Sequence, residues 1–195
     1  MEAFLVSTGV VALGEIGDKT QLLALILAAR FKRPLPIIAG ILAATLVNHT
    51  GAGLVGAWLT SALGPEPLRW ILALSFIAMA VWLLIPDKLD AATVRPGRYG
   101  VFVTTLVTFF LAEMGDKTQI ATVALAAKFH DLYAVVAGTT LGMMLADVPA
   151  VLFGERVAQR VPPRVVHAVA ATIFAVIGVA VLVGGNIDVI AGLAR

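Results

Sequence analysis

Cysteine is absent from this chain of 195 residues, and only 13% of its residues are charged. The first absence excludes disulfides, thiolate metal sites and a cysteine nucleophile, so any bound metal must be held by oxygen or nitrogen. The second excludes an ordinary soluble domain, because such domains are about 25% charged. Aromatic residues are scarce at 7%, and the formal net charge is only +2. No basic patch of the kind a nucleic-acid partner needs is present. What remains is apolar: 60% of residues are hydrophobic, grouped in long runs with little charge.

A helical crossing of a bilayer takes about 20 residues, and six runs of that order are readable, at 4–29, 35–60, 67–85, 101–127, 132–154 and 165–185. A hydrophilic link, 86–100, separates the third from the fourth, and a short tail follows Asn186. The runs are continuous and rich in Ala, Leu, Val and Ile, unlike the alternating pattern of a membrane β-barrel, whose strands take about ten residues. The expected fold is therefore all-α, a polytopic membrane protein of six transmembrane helices with no room for a soluble domain. The first run carries Glu15, Asp18 and Lys19 at its middle and begins with Glu2, so it reads as a retained span and not as a secretory signal.

Orientation follows from the cationic residues of the links. Arg30, Lys32, Arg33, Lys88, Arg95, Arg98, Arg156, Arg160 and Arg164 fall in the odd-numbered links, against Arg69, Lys128 and Arg195 on the other face. The positive-inside rule then places the odd links in the cytoplasm and both termini outside, in the cytoplasmic (inner) membrane.

The most informative feature is a repeated heptapeptide. Glu15-Ile16-Gly17-Asp18-Lys19-Thr20-Gln21 returns as Glu113-Met114-Gly115-Asp116-Lys117-Thr118-Gln119, displaced by 98 residues. The same displacement aligns Phe4 with Phe102, Leu13 with Leu111, Phe31 with Phe129 and Ala39-Gly40 with Ala137-Gly138. Two homologous halves are implied: a first repeat at 1–86, a cytoplasmic linker at 87–100 and a second repeat at 101–195. Three spans per half is an odd number, so the halves are expected to be inverted relative to each other, as in many secondary transporters.

Both copies of the motif fall at mid-span. An ionised acid there costs about 2.5–3.5 kcal/mol or more, so Glu15, Asp18, Glu113 and Asp116 require compensation. On a continuous helix Glu15 and Asp18 lie one turn apart on one face, as do Glu113 and Asp116. Two such helices facing each other would converge four carboxylates, with the Thr20, Gln21, Thr118 and Gln119 oxygens nearby. An oxygen cage of this kind suits Mn²⁺, Ca²⁺ or Mg²⁺. Burial and like-charge crowding also favour protonated carboxyls, so protons and metal compete for the site, which is what antiport needs. Lys19 and Lys117, four residues after their glutamates, are expected to pair with them, and Gly17 and Gly115 to loosen the helix or allow close packing. The structural alternative is a salt-bridge lock between the first and fourth spans.

Asp147, inside the fifth span, reads as an extra ligand or proton carrier. Its counterpart in the first half is His49, which is open between proton relay and packing residue. His130 and His167 lie at span ends and read as interfacial.

Two copies of Glu-apolar-Gly-Asp-Lys-Thr in a six-span chain resemble the Gdt1 (UPF0016) family, and the resemblance covers essentially the whole sequence. It implies a cation/proton exchanger for Mn²⁺ or Ca²⁺, a manganese exporter in bacterial members, with Glu15, Asp18, Glu113 and Asp116 in the family's acidic motif and Lys19, Thr20, Lys117 and Thr118 completing it. Ile16 stands where Met is often found. The extra amino-terminal segment and longer central loop of eukaryotic members are missing, which points to a bacterial or otherwise minimal member. The expected function is export of Mn²⁺ in exchange for protons, with no enzyme activity, no resident cofactor, a divalent ion and the lipid bilayer as partners, and a homo-oligomer left open. The rivals are export of Ca²⁺, Mg²⁺ or a basic amino acid, an intramembrane aspartyl protease, and a passive channel.

Overall fold

The computed structural model describes residues 1–85, 100–154 and 163–193. Eight helices and no strands occur among the described residues: α1 (Glu2–Glu15), α2 (Lys19–Phe31), α3 (Pro34–Ala62), α4 (Pro65–Leu83), α5 (Gly100–Glu113), α6 (Lys117–Phe129), α7 (Leu132–Phe153) and α8 (Pro163–Leu193). A displacement of 98 residues carries the start of each of the first four onto the start of one of the last four. The boundaries have local causes. Proline, whose missing N–H costs nothing in a first turn, opens α3, α4 and α8. Asp131 caps α7 by accepting a hydrogen bond from the Ala134 N–H at 3.1 Å. Lys32 and His130, equivalent positions, end α2 and α6 in the left-handed region at φ 52° and 53°.

Helices α3, α4 and α7, and residues Arg164–Val183 of α8, are long and apolar enough to cross a membrane. The expected continuous spans at 4–29 and 101–127 are not continuous. Each is two helices, of 14 and 13 residues, and at 1.5 Å per residue neither piece covers a hydrocarbon core of about 30 Å. The pieces nevertheless do not double back. Gly40 of α3 lies against the Phe102 carbonyl and Thr105 of α5, whereas Gly56 of α3 lies against the Val123 carbonyl and Ala126 of α6. Helix α3 advances about 24 Å between these contacts, so α5 and α6 together follow its length in the same direction. In the other half, Gly138 of α7 meets Phe4 and Ser7, Gly142 meets Thr8 and Ala12, and the Ala146 carbonyl meets Gln21. Helices α1 and α2 therefore follow α7.

These contacts are reciprocal: Gly40 on Phe102 and Thr105 is the counterpart of Gly138 on Phe4 and Ser7. Phe76 and Phe174, also counterparts, meet each other with ring centroids 6.0 Å apart. Around them one apolar core joins α4 and α8 to α1 and α6, and a second joins α2, α3, α5 and α7. Helix α8 runs on to Leu193, past the tail expected after Asn186; a glycine costs a helix only about 1 kcal/mol, so Gly184 and Gly185 do not end it. Most of the linker at 87–100, with Lys88, Arg95 and Arg98, lies outside the described residues, as do Arg156, Arg160 and Arg195.

The small-residue crossings are open to test. A Cβ at Gly138 would collide with the Phe4 carbonyl and one at Gly56 with the Val123 carbonyl. Gly138→Ala and Gly56→Ala are each expected to lower the thermal midpoint of the purified protein, at an overpacking cost of about 1–3 kcal/mol. Gly51→Ala, with no atom within 4 Å, should hold or raise it.

Candidate metal site

The interruption in each half is made by the motif itself. Asp18 N–H donates to the Glu15 carbonyl at 3.0 Å, Ile16 has φ −64° and ψ 114°, and Gly17 has φ 84°. Those are the angles of a type II turn, whose third position needs a positive φ and so favours glycine. The second copy repeats it, with Asp116 N–H donating to the Glu113 carbonyl at 3.1 Å and Gly115 at φ 77°. No atom lies within 4 Å of where a Gly115 Cβ would stand, so its role is conformational freedom, and close packing is not what it serves. The expected helical face shared by Glu15 and Asp18 is replaced by the two ends of a tight turn: Glu closes one helix, and Asp starts the next.

Gln21 and Gln119 brace the turns. The Gly17 N–H donates to Gln21 Oε1 at 3.0 Å and the Gly115 N–H to Gln119 Oε1 at 2.7 Å. Gln21 Nε2 also donates to the Ala146 carbonyl of α7 at 3.0 Å. Thr20 Oγ1 donates to Glu15 Oε2, and Thr118 Oγ1 to Glu113 Oε2 at 2.9 Å. Each threonine hydroxyl thus holds one oxygen of its own half's glutamate.

Asp18 and Asp116 occupy the N-cap positions of α2 and α6, yet neither makes a side-chain capping bond. Their carboxylates face the other half. Lys19 Nζ lies 3.2 Å from Asp116 Oδ1, and Lys117 Nζ lies 3.8 Å from Asp18 Oδ1, with the Ile85 carbonyl 3.3 Å from the same Lys117 nitrogen. The expected pairing of each lysine with the glutamate four residues before it is thereby corrected. That rule holds along an unbroken helix, and the turn moves each lysine onto a new one.

The acids themselves converge. Glu15, Glu113 and Asp116 offer ligand oxygens that all lie within 4.8 Å of one another, and all three are buried. Glu15 Oε1, Glu113 Oε1 and Asp116 Oδ2 have no hydrogen-bond partner. Asp18 is not part of this compact group. The carboxy-terminal ends of α1 and α5 and the amino-terminal ends of α2 and α6 meet at these breaks, so their dipoles oppose each other there. His49 and Asp147 are fully buried, with neither ring nitrogen and neither carboxylate oxygen hydrogen-bonded.

Residues 3–91 and 101–188 match the family described as the divalent cation/proton antiporter GDT1. The chain belongs to the GDT1 family. A Vibrio cholerae protein named as a proposed manganese exporter is 48% identical over 92% of this chain and 90% of its own length. A GDT1-like protein of Synechocystis is 29% identical over 89% of this chain and 93% of its own, and GDT1-like protein 3 of rice is 28% identical over 89% and 71%. No solved structure matches the chain. The GDT1 family comprises membrane transporters of divalent cations, not enzymes, and the resemblance carried by the doubled motif holds across both halves.

One contact escaped the sequence reading. His167 of α8, read as interfacial, places Nε2 2.9 Å from the Ile16 carbonyl, where an N–H donates to an oxygen exposed by the first turn. Position 167 corresponds to Arg69, so no internal repeat could point to it.

The crossed ion pairs differ in burial: Lys117 is 3% exposed and Lys19 21%. Lys117→Met is expected to destabilise the protein by about 3 kcal/mol or more, because it leaves a buried anion behind, and Lys19→Met by less. Adding Asp18→Asn to Lys117→Met should restore part of the loss, as read by thermal unfolding.

Proposed function

We propose that this GDT1 protein is a secondary active antiporter that exports Mn²⁺ from the cytoplasm in exchange for protons. The observation that carries this reading is the group of Glu15, Glu113 and Asp116, one acid from the first half and two from the second, with ligand oxygens within 4.8 Å of one another and one unpartnered oxygen on each. Carboxylate oxygens are ligands for Mn²⁺, Ca²⁺ and Mg²⁺ alike. The name of the Vibrio cholerae relative favours Mn²⁺ among them.

In this reading the chain makes six passages through the inner membrane, with α1–α2 and α5–α6 as broken spans, both termini outside, and two inverted repeats at 1–86 and 101–195 joined by a cytoplasmic linker. Several observations support it. Helices α1–α2 run with α7 and α5–α6 run with α3, and residues 32 and 33 alone connect α2 to α3, which leaves room only for a reversal. The two broken helices then run in opposite directions. The reciprocal glycine contacts, and the meeting of Phe76 with Phe174, are what a two-fold relation produces. Broken helices at the interface of inverted repeats are where secondary transporters bind their ions.

Coupling follows from charge. Within the two motifs, Glu15, Asp18, Glu113 and Asp116 against Lys19 and Lys117 leave a formal charge of −2, which one divalent ion or two protons neutralise. Occupation by either excludes the other. When the cage is empty, Lys19 and Lys117 hold the two aspartates across the interface, and a metal entering the cage draws Asp116 from Lys19.

The test is flux into proteoliposomes. Mn²⁺ uptake is expected to follow an imposed pH gradient and to fall by at least about 100-fold in Glu15→Gln and Glu113→Gln, each of which removes a ligand charge that nothing nearby replaces. Ca²⁺ and Mg²⁺ measured alongside rank the substrates. Uptake indifferent to the gradient, or undiminished in both variants, contradicts the reading.

A further inference from the structure

Glu15, Glu113 and Asp116 leave the ligand set lopsided, with two acids from the second half and one from the first. They present three unpartnered oxygens, whereas a hard divalent ion takes about six or more. One more buried acid, on the neighbouring α7, has no hydrogen-bond partner. Asp147 of α7 is 0% exposed, and neither of its carboxylate oxygens is hydrogen-bonded. It stands outside the compact group formed by Glu15, Glu113 and Asp116. Its neighbour Ala146 is the residue whose carbonyl is gripped by Gln21, the side chain that also holds the Gly17 N–H of the first turn. The backbone at 147 is thus moored to the broken helix beside the acids.

We propose that Asp147 is a direct ligand of the transported cation, closing the cage on the side of the second half. This rests on the antiporter reading above and adds to it the position of the ion. The first half offers His49 at the matching place, so the acids are not symmetric about the interface. The ion sits off the pseudo-symmetric centre, against Glu113, Asp116 and Asp147, with Glu15 reaching across. Asp18, held by Lys117, stays outside the ligand set. A carboxylate buried with both oxygens unbonded is costly in the empty protein, and a bound metal ion offsets that cost.

The experiment is Mn²⁺ binding to the purified full chain, followed by loss of the free-ion paramagnetic resonance signal, with thermal unfolding measured with and without Mn²⁺. Asp147→Asn is expected to weaken Mn²⁺ binding at least about ten-fold, since even changes behind the ligands of metal sites cost 10- to 100-fold. The same variant should not lower the melting temperature of the metal-free protein, because Asp147 has no hydrogen bond there to lose, and should lose most of the stabilisation by Mn²⁺. A structural role for Asp147 would lower the metal-free melting temperature instead. Should Asp147→Asn not fold, the wild-type protein decides: a hydrophobic carbodiimide, mapped by mass spectrometry, is expected to modify Asp147 less when Mn²⁺ is present. Mn²⁺ affinity within two-fold of wild type in Asp147→Asn, or labelling of Asp147 unaltered by Mn²⁺, overturns the proposal. Glu113→Gln, run in parallel, separates the two readings. If it loses Mn²⁺ while Asp147→Asn keeps it, only the role of Asp147 fails; if it keeps Mn²⁺, the cage itself fails.

Discussion

Negative charge held among apolar helices has to be compensated from within the protein, because neither lipid nor packed side chains solvate it. Glu15, Asp18, Glu113 and Asp116 are all buried, and the arrangement around them answers that need in three ways. Threonine hydroxyls satisfy one oxygen of each glutamate, lysines from the opposite half meet the aspartates, and Glu15, Glu113 and Asp116 gather with ligand oxygens within 4.8 Å of one another. The first two leave the acids partly satisfied. The third leaves unbalanced charge, which under the proposed function a cation or protons complete.

The type II turn makes this possible. Within an unbroken helix every backbone N–H and carbonyl is consumed by its neighbours, and the acids would project from one face only. Breaking the helix at Gly17 and Gly115 places the carboxy end of one helix beside the amino end of the next. Glutamate and aspartate, three residues apart, become the two sides of a single bend. Each break is braced by its own glutamine; at the first, Gln21 also holds the Ala146 carbonyl of α7, and His167 of α8 meets the Ile16 carbonyl. The asymmetry of those braces is notable in a duplicated protein: the sequence repeats the turn, but the two turns are held differently.

Much of this could be read from the amino acids alone. The duplication, the helical class, the six apolar runs and the acids were legible because each depends on local composition or on similarity within the chain. The helix starts at Pro34, Pro65 and Pro163 follow from proline's own geometry. The break at Gly17 was harder, because a glycine inside an apolar run is tolerated in a helix as readily as it is used for a turn, and only the hydrogen bond between Asp18 and Glu15 decides. The lysine pairs were misassigned for a related reason: the helical spacing rule pointed within each half, whereas the bend redirected Lys19 and Lys117 across the interface. His167 reaching Ile16 is a contact between residues 151 apart, and no periodicity encodes it.

The central claim is that metal and protons exclude each other from one pocket between the two bends, and proton release measures it most directly. Mn²⁺ titrated into the purified protein in weak buffer should release protons in proportion to the metal bound, and the release should vanish together with binding when Glu15 and Glu113 are both replaced by Gln. Mn²⁺ binding that releases no proton at any pH between about 5 and 8, the range in which folded proteins are generally most stable, would contradict the account.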